Sequence, residues 1–137
     1  MIINSITMKN FQCYYGEHED NKFEFTDGLN LIIGNNGAGK SKFYDAFYWV
    51  LNDKIFLSDT RKFISTREYK DKLISDRAKR EISIGSTESA EVTLIATSAT
   101  TADVVGKEYK ITRIYKDLKT GKNKWAGEEE EIRSSLM

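Results

Sequence analysis

Polar and apolar positions alternate at the start of the chain, with Ile2, Ile6 and Met8 on one parity, and this predicts a β-strand. Asn10 to Glu19 reads as a turn, and Phe23 and Phe25 mark a second short strand. Asp27-Gly28 is a tight-turn pair. The run Leu29-Asn30-Leu31-Ile32-Ile33 is almost continuously apolar, as in a strand covered on both faces of a parallel or mixed sheet. A glycine-rich loop follows. Beyond it Phe43, Ala46, Phe47, Val50 and Leu51 recur at helical spacing and predict a helix that ends at Asn52-Asp53. From residue 90 the period returns to two. Val92, Leu94 and Ala96 share a face, and Tyr109, Ile111 and Arg113 lie on a following strand. Lys119-Thr120-Gly121-Lys122 reads as a hairpin turn into a short strand at Lys124-Trp125, and Glu128 to Met137 reads as the start of a helix, its four glutamates suiting the positive end of the helix dipole. The expected organisation is one domain over residues 1–137. It comprises a strand, loop and helix core at 1–55, a polar excursion at 56–89, antiparallel strands at 90–127 and the helix start at 128–137.

Composition narrows the class. The 137 residues carry 21 basic and 21 acidic side chains, with 39% hydrophobic and 31% charged residues, which fits a globular chain. No apolar run approaches the ~20 residues of a membrane-spanning helix, and no secretory signal opens the chain. Cys13 has no partner cysteine, so a reducing, cytoplasmic setting, with nucleoid association an option, is expected. Zero net charge confines any nucleic-acid contact to local patches. Residues 54–81 hold nine Lys/Arg against five Asp/Glu, and residues 107–125 hold seven against two. Each is either a solvated face or a surface that neutralises DNA phosphates without reading sequence. Charge reversal at Lys119, Lys122 and Lys124 is the natural probe of the second patch.

The chemistry lies in Gly34-Asn35-Asn36-Gly37-Ala38-Gly39-Lys40-Ser41, which matches G-x-x-x-x-G-K-[ST]. The glycines let the backbone curl closely around an anion, and the loop amides converge on it with the N-terminus of the next helix. Lys40 should reach the β- and γ-phosphates, and the Ser41 hydroxyl should ligate Mg²⁺. The apolar strand before the loop and the amphipathic helix after it are the context this chemistry requires. No apolar strand ends in the Asp that would hold Mg²⁺ from the far side. Asp103-Val104-Val105-Gly106 imitates the GTPase D-x-x-G without a strand before it, and a kinase reading lacks its metal carboxylate. Tyr14, Tyr15, Tyr44, Tyr48 and Trp49 are read as core or interface packing before adenine stacking. His18 alone makes no metal site.

Several segments together are more specific than the phosphate loop. They are Ile6 to Phe11, Tyr14-Tyr15-Gly16, Phe23-Glu24-Phe25, Gly28 to Ser41 and Asp45-Ala46-Phe47, with weaker matches at Ala90 to Leu94 and Tyr109 to Arg113. This set resembles the N-terminal head lobe of SMC/SbcC-like double-strand-break-repair ABC-type ATPases, with DndD-type and other anti-phage ATPases as relatives. The resemblance implies an α/β P-loop NTPase with a mixed sheet and an antiparallel extension. It implies ATP and Mg²⁺ as cofactors, held by Gly34 to Ser41, with Gln12 and Cys13 at the positions where family members often carry Arg-Ser near the base and phosphates. It also implies partners: the C-terminal lobe of the same ATPase, a second head in a homodimer, DNA through basic patches, and a nuclease subunit, with no membrane. Hydrolysis would need the C-terminal lobe and head dimerisation. The 137-residue chain alone would bind Mg-ATP weakly, turn none over, and self-associate through an apolar face and an open sheet edge. The alternative is a stand-alone ATP-binding interaction module.

Overall fold

The structure, a computed structural model, describes residues 2–26, 40–57, 61–65, 73–97, 107–121 and 124–136. The side chains of Lys40, Ser41, Phe56, Leu57, Ser65 and residues 124–136 fall outside that description. Strand β1 (Ile2–Lys9) leads through a short loop and a 3-10 turn (His18–Asn21) into β2 (Lys22–Glu24). Helix α1 (Lys40–Asn52) is followed by the hairpin β3 (Lys54–Leu57) and β4 (Lys62–Ser65). A short helix α2 (Asp76–Glu81) precedes β5 (Thr87–Thr97), β6 (Glu108–Gly121) and β7 (Lys124–Leu136).

Five strands form one sheet in the order β2-β1-β5-β6-β7. Register pairs Ile6 with Phe23 on one side and with Leu94 on the other, and Val92 with Arg113. Alternation puts Ile6, Met8, Ala90, Val92, Leu94 and Tyr115 on one face, all buried. Against that face α1 lays Phe43, Ala46, Trp49 and Val50, also buried. Phe11 stacks on Trp49 with ring centres 5.2 Å apart and planes at 19°, closing the core where β1 ends.

The described strands pair antiparallel throughout, as expected for the extension; the apolar run at 29–33 that suggested a mixed sheet lies outside the described residues, as does the Asp27-Gly28 turn. Three expectations change. Residues 128–137 do not start a helix: β7 runs through Leu136, with Glu128 opposite Asp117 and Ile132 opposite Arg113. The long free side of β6 offers a full ladder of backbone hydrogen bonds, and that outweighs the modest dipole preference of four glutamates. The polar excursion at 56–89 is not wholly solvated, because Leu73, Ile74 and Ala78 are buried and Ile74 bridges to Phe11. On α1 the buried stripe is rotated. Trp49 faces the sheet and Leu51, expected in the core, is 48% exposed.

Candidate nucleotide site

The described part of the site is the junction between the β1–β2 loop and α1. Asn10 and Gln12 both sit in the left-handed region, at φ 47° and 51°. Asn10 tolerates this because its side chain substitutes for backbone partners: Gly16 N–H donates to Asn10 Oδ1 at 2.9 Å, and Asn10 N–H donates to Gly16 O at 3.0 Å. Gly16, at φ 108°, closes the loop where a Cβ would meet Asp20 Oδ2 at 2.8 Å. Two cross-links tie the loop to the segment before α2: Gln12 N–H to Leu73 O at 2.8 Å, and Ser75 N–H to Asn10 O at 2.8 Å. The Asn-Phe pair therefore has a structural meaning, a turn fixed by Asn10 and an anchor at Phe11. Tyr15 continues the tie to α2, donating to Glu81 and lying under the Arg77 guanidinium, 4.3 Å from the ring centre.

This loop faces the first turns of α1. Cys13 is close enough to Lys42 and Asp45 to feel both charges, although partial burial dominates and pushes its thiol up. Tyr14 is pushed up to about 12, first by burial and then by Cys13. Lys40 and Ser41 open α1, and Gly34, Asn35, Asn36, Gly37, Ala38 and Gly39 lie outside the described residues. Gln12 is the buried polar side chain of this junction that stands without a partner among the described residues. It is only 8% exposed, and neither its Nε2 nor its Oε1 has a hydrogen-bond partner. An enclosed amide without partners costs about 1–3 kcal/mol, a cost that a polar ligand would relieve.

The far end of α1 is fixed by a charge. Asp53 turns into the left-handed region at φ 55° and its N–H donates to Trp49 O at 2.9 Å, which ends the helix. Arg113, 8% exposed on the core face of β6, donates from Nη2 to Val50 O at 3.4 Å and lies 3.9 Å from Asp53 Oδ1. A guanidinium there favours the negative end of the helix dipole. Lys119 does the same for α2, its Nζ donating to Lys79 O at 2.8 Å and Ile82 O at 3.1 Å. Both residues belonged to the basic stretch read as either a solvated face or a DNA-contacting surface, and both are turned inward. Lys122 lies outside the described residues, as does the side chain of Lys124.

Of the aromatic set, Trp49 is core, whereas Tyr44 and Tyr48 are exposed, and Tyr48 meets Phe63 edge-on at 5.0 Å. Asp103 to Gly106 lie outside the described residues. The face of the sheet away from α1 is mixed in character. A concavity of about 760 Å³ there is lined by the hydroxyls of Thr7, Thr93 and Thr112, by the apolar Ile95 and Ile114, and by charges of both signs, among them Lys110 and Glu91. Thr7 Oγ1 and His18 Nδ1 are 2.8 Å apart, and His18 Nε2 is 3.5 Å from Glu91. Hydrogen bonding to His18, then the nearby Lys9 charge, overcomes partial burial and holds Glu91 down to about 2. A depressed carboxylate stabilises the fold above its ordinary range and loses that contribution as pH falls through about 2. Glu91→Gln should therefore lower stability near neutral pH and flatten its decline on acidification, measured by urea unfolding from pH 7 downward. Parallel pH profiles for the two proteins would show that the carboxylate is not the source.

A family described as an AAA domain matches residues 5–136, nearly the whole chain. The chain belongs to the AAA domain family. Shorter stretches of this AAA domain are similar to curated proteins. A DNA double-strand break repair Rad50 ATPase of Thermoplasma acidophilum is 45% identical over 51 residues, 37% of this chain and 5% of that protein. The DNA replication and repair protein RecF of Tropheryma whipplei is 40% identical over 84 residues, 60% of this chain and 19% of that protein. The chromosome partition protein Smc of Rhodopirellula baltica is 32% identical over 74 residues, 54% of this chain and 6% of that protein. The SMC/SbcC-like resemblance read from the sequence thus stands for this AAA domain, which spans from about a twentieth to a fifth of those relatives. No helix among its described residues is long and apolar enough to cross a membrane.

Proposed function

We propose that the chain is the ATP-binding N-terminal half-site of an SMC/SbcC-like ATPase that acts on DNA, in double-strand-break repair or in phage defence. Gly34 to Gly39 would wrap the triphosphate, Lys40 would neutralise its β- and γ-oxygens, and Ser41 would hold Mg²⁺. Mg²⁺ would bridge the phosphates and offset charge that develops during transfer. The observation that carries this reading is the helix. The phosphate-loop sequence ends on the first residues of α1, and α1 is buried on one side only. Its other side presents Tyr44, Tyr48 and Leu51, with Phe63 of β4 beside them at 50% exposure. A helix that is apolar nearly all round belongs inside a larger structure, and the C-terminal lobe of the same ATPase is the cover proposed here. A second head would complete the nucleotide enclosure.

Calorimetric titration with Mg-ATP tests the reading. The chain joined to its C-terminal lobe should release heat that Lys40→Ala removes. No magnesium-dependent uptake in the joined protein would overturn the proposal.

DNA contact is proposed for the exposed part of the same basic stretch. With Arg113 and Lys119 engaged inside, Lys110 stays exposed on the outer face, beside the hydroxyls of Thr93 and Thr112, in a concavity that Glu19 and Glu91 also line. Such a face would follow the phosphate backbone without reading bases. Lys110→Glu should weaken binding to duplex DNA and reduce its salt slope by about one, whereas Lys119→Glu should lower stability before it affects DNA. An unchanged affinity and slope for Lys110→Glu would remove this assignment.

A further inference from the structure

We infer that Gln12 reads the nucleobase: its carboxamide pairs with the adenine edge, donating to a ring nitrogen and accepting from the 6-amino group. The inference rests on the nucleotide reading above and deepens it by giving the site a base preference.

Three observations lead there. The first is the orphaned amide: a donor and an acceptor on one side chain, both enclosed and both without partners. The second is its mounting. The backbone of Gln12 is held at φ 51° by its own N–H bond to Leu73 O and by the neighbouring Asn10–Ser75 bond, so the loop that carries the amide is fixed. The third is its location, one residue after Phe11, whose ring stacks on Trp49 of the helix that follows the phosphate-loop sequence, with ring centres 5.2 Å apart.

Chemistry then chooses among the parts of a nucleotide. Phosphate oxygens accept only, so they would satisfy Nε2 and leave Oε1 enclosed and unpaired. Mg²⁺ would engage Oε1 alone and leave Nε2 unpaired. An adenine edge offers an amino donor beside a ring-nitrogen acceptor, and a glutamine amide meets both at once. Both amide atoms are sealed from water, so each gains a hydrogen bond from the base without giving up one to solvent.

The test compares three magnesium complexes: ATP, purine riboside triphosphate, which lacks only the 6-amino group, and inorganic tripolyphosphate. Affinities are measured by titration of the 137-residue chain. The unsubstituted chain should prefer ATP over the deaminated analogue on the order of tenfold. Gln12→Met, similar in length and without hydrogen-bonding groups, should bring that ratio close to one and leave tripolyphosphate affinity unchanged. A second readout separates this role from a structural one. Removing an unsatisfied amide should leave the ligand-free chain as stable as before or more so, seen as an equal or higher thermal midpoint. Gln12→Leu repeats the comparison if the methionine variant does not fold. A ratio near one in the unsubstituted chain, or a preference that survives Gln12→Met, overturns the inference and leaves phosphate binding intact. Absence of uptake of every triphosphate by the chain overturns the inference, and absence in the chain joined to its C-terminal lobe overturns the nucleotide reading as well.

Discussion

Trp49→Ala should cost about 3–5 kcal/mol of folding stability, a large part of the roughly 5–15 kcal/mol that holds a domain of this size together. Trp49 is fully buried between α1 and the sheet and stacks on Phe11, so its removal leaves a cavity and strips the ring partner from the loop that carries Gln12. The backbone around it cannot easily collapse, because Asp53 N–H is bonded to Trp49 O and Arg113 holds the last turn of the helix. Trp49→Phe keeps a ring against Phe11 and should lose much less. Urea unfolding monitored by circular dichroism gives both numbers. A loss under about 1 kcal/mol for the alanine variant would mean that the core is built around other contacts.

The second large effect is on turnover. In the proposed reading the chain would supply a phosphate cradle, a lysine and a hydroxyl, whereas its sequence shows no strand ending in the acidic pair that would orient water and complete the Mg²⁺ shell. Steady-state phosphate release from the chain alone should therefore stay at the background rate. Adding the C-terminal lobe should raise it by several orders of magnitude, and Lys40→Ala in the joined protein should return it to background. The same addition should cover Tyr44, Tyr48, Leu51 and Phe63, and so suppress binding of a dye that reports exposed apolar surface. Head-like turnover by the chain on its own, lost in Lys40→Ala, would refute the half-site reading and favour a complete enzyme.

How much of this was legible in the sequence depended on the length of the pattern. The alternation of Ile6 and Met8, and of Val92, Leu94 and Ala96, placed the right residues in the core because each strand repeats its period several times over a half-buried sheet. The helix was legible from its apolar spacing, and its end from Asn52-Asp53. Which side of it faces the sheet was not. Tyr44, Tyr48 and Leu51 join Phe43, Ala46, Trp49 and Val50 to make it apolar nearly all round, and periodicity cannot orient such a helix. Leu73-Ile74 is too short a run to carry any period, and only its bridge to Phe11 reveals it as core. Arg113 and Lys119 looked like surface charge because a helix's need for a cation at its last turn is a tertiary fact. At the candidate site the resemblance pointed to Gln12 as an expectation, but its solitude was not legible, since a missing hydrogen-bond partner appears only once the surrounding loop is folded.

The glutamate run on β7 has a consequence for how copies of the chain treat one another. Residues 128–131 lie on the last strand of the sheet order, with β6 on one side and no described strand on the other. A second molecule zipping onto that border in the usual antiparallel way would set two stretches of four consecutive acidic residues along one another. The concentration of negative charge in that stretch of sequence would oppose fibre-like stacking along a thirteen-residue strand that would otherwise invite it.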